Sequence, residues 1–288
     1  SLFAVQFSIT SPLLFSGIFH GEGLQGMWFL WAQFLIAGLV PFVFAPLWIK
    51  LNITTDNEFV MKRFSGKAAS YLQLFRAVYV GLIICSLMLA FQVLAFVKFM
   101  QLFSNWSTVA IYITLIFSCI VLSFYNHFHS NLIVESLQAV LLFVCCAILL
   151  FYLDFNFGID DSIIQLKSLH PQQITLFPKL SSSFFIFVVI QAFSVHMFDG
   201  SGVEAQRFFS NKSTKHVWKI SVTSSILITV FNFFIFLILM VGWAQYPSPG
   251  SIDTESLLLF YLQQFSNGPM QAIIVVLFSL VFVSSFSG

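Results

Sequence analysis

Charge is what this chain has least of. Lys and Arg number 12 and Asp and Glu 11, so only 8% of its 288 residues are charged. A soluble globular chain carries about 25%, and a water-soluble fold is excluded on that ground. The two signs nearly cancel to a net +1, which leaves no basic surface for nucleic acid or another polyanion. Cysteine is scarce as well. Cys85, Cys119, Cys145 and Cys146 all lie in apolar stretches, without a CxxC pair or a Cys/His metal spacing. Structural disulfides and a metal cluster are therefore not expected. GxSxG, HExxH and paired intramembrane Asp are also missing, which removes the commonest intramembrane hydrolases. No basic stretch precedes the first apolar run, so no signal peptide is expected.

What the chain has in excess is apolar length. Hydrophobic residues make up 59% and Phe alone numbers 39, with a mean hydropathy of +0.94. Charge-free runs extend from Gly23 to Ile49, Ala77 to Val97, Ser136 to Leu153, Leu180 to Phe198 and Ile220 to Ile252. Each meets or approaches the ~20 apolar residues that a helix needs to cross a bilayer core. The fold class this predicts is an all-α polytopic membrane protein, with the lipid bilayer as its solvent. Hydropathy and breakers give eight membrane segments, near 1–18, 27–51, 68–99, 108–125, 131–153, 181–198, 217–243 and 269–288. A basic amphipathic stretch, 58–67, precedes the third. A polar loop, 154–180, follows the fifth, and a short helix is expected near 254–265. The last segment is still apolar at Gly288, so the chain reads as part of a longer protein.

With the N-terminus of the first helix in the cytoplasm, the inside loops hold Lys50, Lys62, Arg63, Lys67, Arg76, Arg207, Lys212, Lys215 and Lys219. The outside loops hold only Lys98, Lys167 and Lys179. That is the bias the positive-inside rule requires, and it predicts a multi-pass protein of the plasma (inner) membrane. Two segments are unusual in the same way. The first is interrupted by Pro12 and Gly17, and the sixth meets Asp199-Gly200-Ser201-Gly202 after about 18 residues. They lie five segments apart, as inverted repeats require, with a first repeat over 1–153, an extracellular loop at 154–180 and an incomplete second repeat over 181–288. Broken helices at corresponding positions of two repeats point to a transporter binding site. Unwound backbone at membrane depth survives only where its freed carbonyls and N–H groups meet an ion, a substrate or trapped water. Asp199, Gly200 and Gly202 are then the hinge between two half-helices.

Hydroxyls stand at the end of the eighth segment, in Val281-Phe282-Val283-Ser284-Ser285. A sodium ion takes hard oxygen ligands, and such a pair of hydroxyls facing freed carbonyls near Ala4 and Phe7 would supply five. The competing reading is that the serines bond back to their own helix carbonyls. Three stretches bear on the choice: the first segment, Thr55-Asp56-Asn57-Glu58-Phe59-Val60-Met61-Lys62-Arg63-Phe64-Ser65-Gly66-Lys67, and Gln206-Arg207-Phe208-Phe209-Ser210-Asn211-Lys212-Ser213. Together with the Val283-Ser284-Ser285 triplet they resemble the sodium:solute symporter family, in order along the whole chain. The resemblance implies a LeuT-like inverted-repeat helical bundle with discontinuous first and sixth helices, here covering core helices one to eight. It also implies a Na+ site formed by the carbonyls of Ala4, Phe7 and Val281 and the hydroxyls of Ser284 and Ser285. Glu135, in Glu135-Ser136-Leu137-Gln138, stands where the family commonly has the Asp of the sodium path. Its alternative role is a solvated carboxylate about one turn from the interface.

By the same resemblance, substrate contacts come from the first, second, sixth and seventh core helices. The candidates are Gln6, Ser11, Trp28, Trp31, Gln191, Ser194, His196 and Asp199; the two indoles are alternatively packing or interfacial anchors. Ser11, Leu30, Ser194 and Ile228 stand where galactose-transporting members carry Gln, Glu, Asn and Lys, so the sugar-recognising polar groups are absent. The function expected is transport, not enzymatic: sodium-coupled symport of a small polar solute (sugar, amino acid or small organic acid) by alternating access. The rivals are a membrane enzyme using Asp199, His196 and Glu204 as acid/base groups, or a sensor on a transporter scaffold.

Overall fold

The computed structural model describes residues 10–29, 31, 45–53, 55, 57–104, 106–125, 128–171, 173–175, 177, 182–194, 213–247, 252–266 and 268–287. Every element among the described residues is helical. They are α1 (Thr10–Glu22), α2 (Ala45–Leu51), α3 (Glu58–Arg63), α4 (Lys67–Val78), α5 (Cys85–Phe103), α6 (Thr108–Tyr125), α7 (Phe128–Phe157), α8 (Ile159–Leu169), α9 (Ser182–Ser194), α10 (Thr214–Gln245), α11 (Leu257–Phe265) and α12 (Pro269–Ser287). Among the described residues, three continuous stretches are long and apolar enough to cross a membrane: Lys67–Phe103, Glu135–Phe157 and Lys215–Gln245.

Two sequence expectations are corrected. Pro12 and Gly17 do not interrupt a helix: α1 runs through both. The loop at 154–180 contains the eleven-residue helix α8. Gly158, at φ 66°, breaks the chain between α7 and α8, a conformation that glycine adopts without a Cβ penalty.

The long rod from α4 to α5 is joined by a π-helical segment, Tyr79–Ile84. It runs along the outside of the bundle and is largely exposed, whereas α10 is the much more deeply buried, central helix. In lipid, hydrocarbon burial gives little preference for helix over lipid tail, so shape-matched packing decides which faces meet. The phenylalanines supply it. Phe99 stacks on Phe278 at 4.6 Å and Phe96 meets Phe282 at 4.3 Å, fixing α5 against α12. Phe143 meets Phe231 edge-on at 6.2 Å, fixing α7 against α10. Such pairs contribute about 0.5–1.5 kcal/mol each beyond area alone.

The C-terminal ends of four helices gather on one face, together with α8 and α11. Phe157, the last residue of α7, meets Phe265 of α11 at 5.1 Å. Gln263 Nε2 donates to the Leu102 carbonyl at 3.1 Å and Gln271 Nε2 to the Phe103 carbonyl at 3.3 Å, satisfying carbonyls that end α5. Trp243 of α10 lies against Phe19 of α1 at 5.4 Å. Past α1, Gly23 has a φ of 68°, and a Cβ there would fall 2.4 Å from the Gln173 carbonyl oxygen. Only glycine lets the chain approach closely enough for Leu24 N–H to donate to that oxygen at 2.7 Å.

Candidate functional site

α7 ends beside Phe265, four residues before α12 begins. The two helices therefore run antiparallel, and the start of α7 shares the far end of the bundle with Val281, Ser284 and Ser285. Val281 is 1% exposed. Ser284 and Ser285 belong to the last turn of α12. On α7, Glu135 is also 1% exposed, and Gln138 is buried one turn further on. Gln138 Oε1 is a buried acceptor without a hydrogen-bond partner among the described residues. An orphaned amide oxygen costs roughly 1–3 kcal/mol. Beside a buried carboxylate it makes this end of α7 rich in acceptors, a chemistry that suits a hard cation such as Na+ better than an anion. Ala4, Phe7 and Gln6 lie outside the described residues, as do His196, Asp199, Gly200 and Gly202; of Gln191 and Ser194 only the helical backbone, in α9, is described.

The other expected substrate residues sit toward the opposite end. Ser11 is half-buried on α1, one turn before Phe15 and hence on the same helix face. Phe15 stacks with Phe236 of α10 at 6.3 Å, and Trp31 meets the same Phe236 at 5.8 Å. Ser11 and Trp31 thus flank one aromatic face. Trp28 contacts Trp31 at 5.6 Å, Phe177 at 5.6 Å and Phe184 at 5.5 Å. The two indoles are already engaged by ring partners, which favours the packing role over a free stacking surface.

Two clusters gave no signal in the sequence. Trp243, 3% exposed, lies between two imidazoles, with His20 at 4.9 Å and His170 at 5.1 Å. His20 lies past the first membrane segment; burial first, and then His170, hold its imidazole below the usual 6.5. The second cluster is α11 on α10. Tyr261 is 2% exposed and its ring lies against the Gly242 backbone. Burial pushes that phenol up to about 12.

The stretch Thr55–Lys67 is explained by local geometry. Thr55 Oγ1 donates to Glu58 Oε1 at 3.5 Å, tying the approach to α3 onto its first residue. Lys62 Nζ reaches back to the Asn52 carbonyl at 3.1 Å and also to the Leu51 carbonyl, capping the end of α2 as a cation does best. Asn57 Nδ2 donates to the Gln73 carbonyl at 3.1 Å and ties α3 to α4. Gly66, at φ 85°, supplies the turn between them. Among the described residues, the conspicuous charged stretch builds a connection between helices.

The family model of the sodium:solute symporter family matches residues 1–249. The chain belongs to that family. Its members are transporters, so the enzyme alternative is set aside, and the chain is a multi-pass integral membrane protein. No curated protein sequence matches the chain. Among solved structures it is similar to the substrate-bound, outward-open state of a Na+-coupled sialic acid symporter, at 17% identity and a TM-score of 0.80. That match covers 99% of this chain and 61% of the other, so the chain spans about three fifths of that symporter. The likeness confirms the symporter fold.

Proposed function

We propose that the full-length protein is a sodium-coupled symporter that imports a small polar organic solute by alternating access. The observation that carries this reading is the family match over residues 1–249, on a chain whose whole length follows the symporter fold. Charge bias places the face bearing α8 and α11 outside the cell and the start of α7 in the cytoplasm, in the plasma (inner) membrane. Residues 1–153 form the first repeat, 154–180 the extracellular loop and 181–288 the incomplete second repeat.

Na+ binds the carbonyls of Ala4, Phe7 and Val281 and the hydroxyls of Ser284 and Ser285, and leaves past Glu135 and Gln138. The buried Glu135 and the orphaned Gln138 oxygen support that path. Gln6, Ser11, Gln191, Ser194 and His196 form the solute pocket, with Trp31, packed on Phe236, as part of its aromatic wall rather than a free stacking surface, and Asp199, Gly200 and Gly202 as the hinge beside it. Coupling requires that Na+ bind the outward-facing state more tightly, because an ion with equal affinity for both states drives nothing. The substrate is a sugar, an amino acid or a small organic acid.

The test is the melting temperature of the full-length protein in Na+ against K+, screened with those three solute classes. Na+ at ten times its Kd stabilises the folded state by about 1.4 kcal/mol. Ser284→Ala with Ser285→Ala removes two of five ligands, and the shift should vanish together with sodium-stimulated uptake. An undiminished sodium response in that double variant sinks the site assignment.

A further inference from the structure

The loop helix α11 starts without a cap of its own. Ser256, its N-cap residue, makes no side-chain cap hydrogen bond, and neither does Asp253 ahead of the 3-10 turn Thr254–Ser256. The group that closes this N-terminus comes from α1. Ser16 Oγ accepts the Leu258 N–H at 3.0 Å and donates to the Thr254 carbonyl at 2.8 Å. A hydroxyl has one proton. Here it is committed to Thr254, so Ser16 gives up the bond to its own helix carbonyl that mid-helix serines usually make. At 1% exposed, the pair of bonds is shielded from water. The other polar tie on this turn is weaker. Lys98 lies 3.6 Å from both Asp253 and Glu255, but those two carboxylates are 60% exposed and screened by solvent.

The Ser16 hydroxyl therefore spans two elements that have separate duties. α1 follows in sequence the segment expected to hold the Na+ carbonyls, and α11 lies over the ends of α5, α7 and α10 on the outer face. We infer that Ser16 is a positioning residue that makes α11 follow α1, so that Na+ occupancy at the start of the first helix sets how firmly the outer loop helix is seated. This rests on the symporter reading. Packing alone would hold α11 equally in either ionic condition; the hydroxyl bracket ties its first turn to the helix that senses the ion.

Amide hydrogen exchange of residues 257–265 in the full-length protein, in Na+ and in K+, separates the two. In the wild type, Na+ should slow exchange across α11. Ser16→Ala should speed exchange at Leu258 about tenfold in K+, the loss of roughly one hydrogen bond. It should also shrink the sodium-dependent slowing to less than about twofold, while Na+ still raises the melting temperature. Ser16→Thr, which keeps the hydroxyl, should restore the sodium response. Should Ser16→Ala not yield folded protein, Ser16→Cys, a weak donor, is read the same way. A variant lacking the hydroxyl that keeps the full sodium response of α11 overturns the inference and leaves the symporter reading intact. A wild-type melting temperature indifferent to Na+ overturns both.

Discussion

Replacing Gly242 with alanine tests how α11 is held on the central helix. A Cβ at that position would stand 2.3 Å from Tyr261 Cδ2, 2.4 Å from Cγ and 2.8 Å from Cβ. Carbon atoms in contact rest about 3.5–4.0 Å apart, so α11 must retreat by roughly 1 Å or more along the contact. No rotamer change fully relieves this, because turning χ1 moves Cγ and the ring but leaves Tyr261 Cβ, at 2.8 Å, where the backbone holds it. The ring is also 2% exposed, among buried Leu257, Leu258 and Leu262. Overpacking of this kind costs about 1–3 kcal/mol. At about 2–4 °C per kcal/mol, the melting temperature should fall by some 2–12 °C. Gly81→Ala is the control: it too lies within a helical segment, but a Cβ there would meet nothing within 4 Å, and it should be neutral or slightly stabilising. Tyr261→Ala alone leaves a cavity worth about 3–5 kcal/mol. Combined with Gly242→Ala the loss should be smaller than the sum of the two, by roughly the overpacking cost. The assay is thermal unfolding of the full-length protein in detergent, with exchange protection of residues 257–265 as the local readout. A Gly242→Ala variant with wild-type melting temperature and protection would refute the close contact.

Orientation is read by labelling. Cysteine at the exposed Ser65 should react only from the cytoplasm, and at the exposed Ser168 only from outside; the opposite pattern would overturn the topology. For the hinge, Asp199→Asn should keep substantial transport, since Asn caps a helix about as well as Asp, whereas Gly202→Val should lose it. A dead Asp199→Asn beside an active Gly202→Val would mean that the carboxylate matters as a proton carrier. The His20 value lies below 6.5 because burial, then His170, disfavours the cation. Folding therefore favours the neutral ring, and this stability is complete above pH 6.5 and lost as the pH falls through the folded value. The melting temperature should decline on acidification below 6.5, less so in His20→Phe; identical profiles would exclude His20 as the cause.

The class of the protein and most of its helices are local properties, which is why they are legible in the sequence. A lipid environment demands about 20 uncharged residues at each crossing, and the stretches that form α4–α5, α7, α10 and α12 satisfy that wherever their neighbours lie. The lysine and arginine bias and the motifs around Thr55–Lys67 are local too, and so is the break expected at Asp199-Gly200-Ser201-Gly202. α8 escapes a reading by hydropathy because a polar composition reads as loop, although Ile159, Ile163 and Leu166 recur at helical spacing and Leu166 is buried against the bundle. Pro12 and Gly17 resemble interruptions by residue type alone, but the packed helix α1 runs through both. Only the tertiary structure could give Ser16 its partners, Thr254 and Leu258, 238 and 242 residues away, or set Trp243 between His20 and His170. A serine in an apolar run carries no mark of where its hydroxyl points. Its single proton goes to whichever carbonyl the folded chain brings within reach, and that is settled by the packing of α1, α10 and α11 together.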